Sequence, residues 1–165
     1  MSKARGSAGT PATVALERSG IAFTVHTYEH DPAAASYGLE AAAALGLAPE
    51  VVFKTLLAEA DGELVVGVVP VAGQLDLKAL AAAVGAKRAV MADPSVAARV
   101  TGYVVGGISP IGQKKRLRTV LDESAVEHDQ VYVSGGRRGL DLGLRPDDLV
   151  AVTGARTAAI SRSRA

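Results

Sequence analysis

Eleven consecutive residues, Gly106-Gly107-Ile108-Ser109-Pro110-Ile111-Gly112-Gln113-Lys114-Lys115-Arg116, combine the residue types that build an anion cradle. Glycine lacks the Cβ that keeps a ligand away from the backbone, and it tolerates positive φ. Pro110 fixes a turn among the glycines. Such a loop can aim several backbone N–H groups at one oxyanion or phosphate, and its Lys-Lys-Arg end suits a phosphate-bearing partner. The same composition also describes a tight surface turn running into a solvated, basic strand. Lys54 is the second residue with chemical potential, embedded in Val51-Val52-Phe53-Lys54-Thr55-Leu56-Leu57. A cation in so apolar a run either snorkels from a sheet edge or is held in a pocket because its charge is useful. Burial would lower its pKa and an anionic ligand would raise it again. Ser134, at a strand end in Val133-Ser134-Gly135-Gly136, suits positioning better than attack, because no histidine is a convincing base for it. A plain turn serine fits there too.

Other chemistries find less support. His26, His30 and His128 form no H-E-x-x-H or H-x-x-E-H pattern, and His26 and His30 would be spread along one strand face, so no metal site is expected. Ser109 lacks the G-x-S-x-G elbow, and the proline after it removes an N–H that an oxyanion hole would use. Gly107 to Gly112 followed by Gln-Lys-Lys is a near miss for a nucleotide-binding loop, but the next segment is strand-like, so no helix dipole completes a phosphate cradle. The 165 residues contain no cysteine, which excludes a disulfide framework, a thiolate metal site and a cysteine nucleophile.

The elements that must position these residues follow from caps and alternation. Thr10-Pro11 starts a helix that Gly20 ends. Ile21–Tyr28 alternates as a strand. Leu39–Leu45 is a short helix stopped by Gly46. Phe53–Glu59 and Leu64–Val71 form a hairpin around Asp61-Gly62. Leu75–Val84 is a helix, Ala89–Ala92 a strand, and Asp93-Pro94 opens a helix to about Val100. After the glycine-rich loop come strands at Leu117–Leu121, Val131–Val133 and Leu140–Leu144, a helix over Pro146–Val152, and a closing strand at Thr157–Ile160. Hairpins with inserted helices define an α+β domain, not a βαβ repeat. Apolar residues make up 48% of the chain, a globular balance, and no apolar run reaches the roughly 20 residues of a membrane span. A disordered arm over residues 1–9, a single domain over 10–160 and a basic tail over 161–165 are expected, in the cytoplasm. The net charge of +1 hides a basic C-terminal half, which suits contact with a limited stretch of nucleic acid.

Five segments occur together in one order: Phe23-x-x-His26-Thr27-Tyr28-x-His30-Asp31-Pro32, Val52-Phe53-Lys54-Thr55-Leu56, Thr101-Gly102-Tyr103-Val104-Val105-Gly106-Gly107-Ile108-Ser109-Pro110, Gly112-Gln113-Lys114-Lys115-Arg116 and Tyr132-Val133-Ser134-Gly135-Gly136-Arg137-Arg138-Gly139-Leu140. This pattern resembles the bacterial YbaK (EbsC) family of Cys-tRNA(Pro) deacylases, relatives of the editing domain inserted in prolyl-tRNA synthetases. The resemblance covers about Ala12 to Ile160.

It implies a mixed, barrel-like sheet of about six strands flanked by helices. It also implies a trans-editing enzyme that cleaves cysteine from mischarged tRNA(Pro), assisted by the substrate's own thiol and with no cofactor. Carried over by position, Lys54, Tyr28 and Ser134 are the catalytic residues. Gly106, Gly107, Ile108, Ser109 and Thr55 bind the substrate. Lys114, Lys115, Arg116, Arg137 and Arg138 contact the tRNA. Alternatives are a deacylase for Ala-tRNA(Pro) or another mischarged tRNA that uses water, and a non-catalytic tRNA-binding module. A prolyl-tRNA synthetase is a further possible partner, in a ternary complex.

Overall fold

The computed structural model describes residues 9–163. The arm expected over residues 1–9 lies, apart from Gly9, outside them. The first helix, α1 (Pro11–Arg18), starts where Thr10 caps it: the Thr10 hydroxyl accepts the Thr13 N–H and the Thr13 hydroxyl accepts the Thr10 N–H, with Pro11 at the first helical position. Strand β1 (Thr24–Thr27) and helix α2 (Tyr37–Leu45) follow; α2 begins at a Ser36 cap and stops at Gly46, whose φ of 68° is left-handed. The long hairpin β2 (Phe53–Ala60) and β3 (Glu63–Pro70) turns at Asp61 and Gly62, with φ of 49° and 85°, the all-positive geometry of a type I′ turn.

A short strand, β4 (Gly73–Leu75), precedes α3 (Leu77–Ala83), so the helix expected from Leu75 begins only after the Asp76 cap. Then come β5 (Ala89–Met91), α4 (Pro94–Thr101), the glycine-rich loop, β6 (Arg118–Asp122) and a 3₁₀ turn at Glu123–Glu127. The chain ends with β7 (Val131–Arg137), β8 (Leu140–Leu144), α5 (Pro146–Thr153), β9 (Arg156–Ala158) and β10 (Ser161–Ser163).

These strands make a mixed five-stranded sheet in the order β5-β2-β3-β6-β9, a three-stranded sheet β1-β8-β7, and the pair β10-β4. The α+β class is as expected. The single barrel-like sheet is not what forms: the two larger sheets meet at one short parallel bridge, Val52 to Tyr132, and do not close into a barrel. Of the basic tail expected over 161–165, residues 164–165 lie outside the described residues. Ser161–Ser163 pairs antiparallel with β4, and the Asp122 carboxylate accepts the N–H groups of Ile160 and Ser161 at 2.9 and 3.0 Å.

Alternation in β2, β3 and β6 divides the core. Phe53, Leu57, Val66, Val68 and Leu121 face the leucines of β8, together with Leu16 of α1 and Leu149 of α5. Ala58, Val65, Val69 and Val120 face the other way, under Leu80 and Ala81 of α3 and Ile160. The seam between the two larger sheets runs along β2, and the cavity lies against it.

Candidate active site

Six successive residues of the β2 segment, Val52–Leu57, line one cavity of about 360 Å³. Side chains on a strand alternate between faces, so six in a row can share a cavity only if the strand turns its edge to it. The pairing supplies that edge. On one side β2 is matched to β3 along its length, whereas on the other β5 pairs only with Ala58–Ala60. Beyond that point the strand opens onto the cavity.

The three-stranded sheet supplies the facing polar groups. In β8, Leu140, Leu142 and Leu144 point into the core, which leaves Asp141 on the opposite face. Asp141 is in register with Ser134 on β7 and with His26 on β1. Asp141, Ser134 and Tyr28, which follows β1, all line the cavity. Tyr37 and Ala41 of α2, Ala92, and Pro94 and Ala97 at the start of α4 complete its wall.

The glycine-rich loop contributes Val105, Gly106 and Ile108. Its shape is fixed from within. The buried Tyr103 hydroxyl donates to the Ile111 carbonyl at 2.6 Å, the Ser109 hydroxyl accepts the Ile111 N–H, and the Gln113 amide donates to the Ser109 carbonyl. Gly106, at φ 89°, lies so close to the Tyr37 ring that a Cβ there would be 2.7 Å from it. The loop is also held by Arg138, which donates to the Val105 carbonyl at 2.9 and 2.6 Å and stacks its guanidinium over the Tyr37 ring at 5.1 Å.

Burial shapes the electrostatics. Asp141 is only 5% exposed, and burial pushes its carboxyl up to about 7. Burial, then the Asp141 charge, pushes the Tyr28 phenol up to about 12, so Tyr28 is a hydrogen-bond donor throughout the physiological range. The Thr55 hydroxyl oxygen is buried and finds no hydrogen-bond partner among the described residues, a polar group left over for a ligand. Nearby, Glu40 accepts from the Asp31 N–H and meets the His30 ring at 2.9 Å, which ties the segment before α2 to that helix.

Of the residues singled out in the sequence, Tyr28, Lys54, Thr55, Gly106, Ile108 and Ser134 share the cavity. Gly107 and Ser109 do not line it. Gly107 packs against the backbone of Arg137 and Arg138, and Ser109 is fully buried with its hydroxyl spent on the Ile111 N–H. Lys114, Lys115, Arg116, Arg137 and Arg138 are all exposed. Asp141 and Tyr37 were not singled out. In Leu140-Asp141-Leu142 an aspartate between leucines reads as the wet face of a strand, yet the fold leaves it 5% exposed on the cavity wall. Among the described residues, no group of three or more His, Asp or Glu side chains could hold a metal ion, and no helix is long and apolar enough to cross a membrane.

The chain belongs to the aminoacyl-tRNA editing domain family, whose model matches residues 31–152. It is 38% identical over 121 residues to the Enterococcus faecalis protein named "Putative Cys-tRNA(Pro)/Cys-tRNA(Cys) deacylase EbsC", over 73% of this chain and 74% of that protein. Among solved structures it is similar to one described as "a putative trans-editing enzyme for prolyl tRNA synthetase", with a TM-score of 0.81 at 27% identity over 93% of this chain and 96% of the other. The protein APE2540 has a TM-score of 0.82 at 26% identity, over 92% and 99% of the two chains.

Proposed function

We propose that the chain is a trans-acting aminoacyl-tRNA deacylase that releases cysteine wrongly esterified to proline tRNA. The observation that carries this reading is the convergence of Tyr28, Lys54, Ser134 and Asp141 on one cavity of an editing domain. An aminoacyl ester is already activated, so the protein need supply only position and charge stabilisation. The chain has no cysteine, and the thiol that attacks is the substrate's own.

Lys54 holds the 3′-terminal ribose or phosphate and sets the ester against Gly106–Ile108. Tyr28 and Ser134 hydrogen-bond the amino-acid end, and the Thr55 hydroxyl is a further contact. Asp141, half ionised near neutrality, takes the thiol proton. The sulfur then forms a C–S bond to the ester carbonyl carbon while the C–O bond to the ribose breaks. The released ribose oxygen takes up the proton, and the cyclic thiolactone hydrolyses in water. Lys114, Lys115, Arg116, Arg137 and Arg138 receive the tRNA, and a prolyl-tRNA synthetase in a ternary complex would supply the tRNA selectivity that so small a domain lacks.

The test is a deacylation panel of proline and cysteine tRNAs charged with cysteine, alanine or 2-aminobutyrate, which carries a methyl group in place of the thiol. Cysteine on proline tRNA is expected to be released fastest and 2-aminobutyrate far more slowly. Equal rates for those two would remove the substrate-assisted step in favour of a bound water. Faster release of alanine would reassign the substrate, and tRNA binding without turnover of any ester would leave a binding module.

A further inference from the structure

A second cavity, of about 520 Å³, lies across the glycine-rich loop from the first. It is lined by Arg18 and Ser19 at the end of α1, by Pro110, Gln113 and Arg116 of the loop, and by Thr153 at the end of α5. Among the described residues no acidic side chain lines it. Both arginines are exposed. The Arg116 guanidinium is seated over Gly154: a Cβ on that glycine would lie 2.7 Å from Nη2. There it faces the carbonyl end of α5, a position that favours a cation and holds the side chain beside the groove.

The two cavities share a wall. Ile108 lines the first and Pro110 the second, and two residues span at most about 7 Å. That wall is buried at Ser109 and Ile111, so anything joining the cavities must pass over the surface. A cationic ridge marks the route. Val105, which lines the first cavity, and its neighbour Val104 are exposed. Beside them Lys114 packs its Cβ against Gly102, while the N–H groups of Lys114 and Lys115 bond to the carbonyls of Thr101 and Val100 at 2.8 and 3.2 Å. Arg116 follows at the groove itself.

We propose that this groove is a second nucleic-acid subsite, in which Arg18 and Arg116 grip backbone phosphates of an RNA whose 3′ end occupies the first cavity. The inference rests on the tRNA-deacylase reading above. A groove whose charged lining residues are both arginines, reached along a lysine ridge from an ester-cleaving cavity, suits the regularly spaced phosphates of one continuous strand.

The test compares the wild type with Arg18→Ala, Arg116→Ala and the double variant, with melting temperatures confirming the fold. Binding of uncharged tRNA is measured across a salt series, and deacylation is measured on cysteinyl-tRNA and on cysteine esterified to adenosine. Each lost arginine is expected to reduce the slope of log Kd against log salt by about 1. The ratio of kcat/KM for cysteinyl-tRNA to that for the small ester should fall several-fold, through KM. Conservative Arg→Lys changes should restore much of the binding, as expected for point-charge contacts. An unchanged slope and an unchanged ratio would overturn the proposal. So would a loss seen only when prolyl-tRNA synthetase is present, which would make a protein the occupant. If the wild type binds tRNA with an arginine-dependent slope but cleaves no ester, the deacylase reading fails while the groove stands.

Discussion

Replacing Asp141 by asparagine should make the protein more stable as it makes it less active, and the stabilisation should grow with pH. Asp141 is 5% exposed, and burial raises its carboxyl from 3.8 to about 7. Between roughly pH 4 and 7 the folded chain therefore holds a proton that the unfolded chain has released. The stability this site contributes is full below about pH 4, falls by about 1.4 kcal/mol per pH unit through that window and is level above 7. Across the window the loss reaches about 4 kcal/mol. Asp141→Asn keeps the size, removes the charge and erases the fall. The variant should match the wild type near pH 4 and exceed it by as much as about 4 kcal/mol at pH 8, roughly 12 °C in Tm for a chain of this length. That figure is an upper bound, because the new amide must place its two N–H groups in the cavity. Urea and thermal unfolding at each pH from 4 to 8 measure it. A stability difference independent of pH would refute the reasoning, since it would mean that a cation in the cavity holds the carboxylate ionised. In deacylation the wild-type rate should rise through pH 7 and the Asn variant should lose both rate and rise.

Lys54→Ala should lower deacylation by at least about tenfold with little change in the unfolding midpoint, if the lysine orients the ester; survival of activity would displace the site. Thr55→Val removes a buried hydroxyl that has no partner among the described residues, a group whose desolvation costs about 1–3 kcal/mol, so urea unfolding should find the variant as stable as the wild type or more so while kcat/KM falls. Gly107→Ala would place a Cβ 2.7 Å from the Arg137 Cα and 2.8 Å from its carbonyl carbon, a backbone contact that cannot rotate away. It should cost about 1–3 kcal/mol in urea unfolding and lower the rate by displacing the loop wall.

Much of this architecture is legible where the signal is local. The Thr10-Pro11 cap, the Gly46 stop and the Asp61-Gly62 turn each declare themselves within four residues, and the elements they bound form where expected. The pair β4 and β10 is not legible. Gly73-Gln74-Leu75 and Ser161-Arg162-Ser163 have no strand pattern of their own and exist only because each pairs with the other. The loop was readable as a loop, but not which of its atoms turn to the cavity: Gly106 and Ile108 do, while Gly107 and Ser109 hold the loop against its neighbours. Asp141 escaped for the same reason. Its burial comes from cavity-lining elements remote in sequence, and no local pattern reports it.

The strand pairing also sets when the cavity can exist. Tyr28 comes from near the start of the chain, Lys54 from its first hairpin, Gly106 from its middle, and Ser134 and Asp141 from near its end. The sheet carrying the facing groups needs β1 and β8 side by side, a contact across most of the sequence and one of the slowest kinds to form. A nascent chain still lacking β7 and β8 has the open edge of β2 but nothing opposite it. On the proposed site, the nascent chain is expected to be inert toward charged tRNA until β8 is in place, and in refolding its activity should return with the last phase.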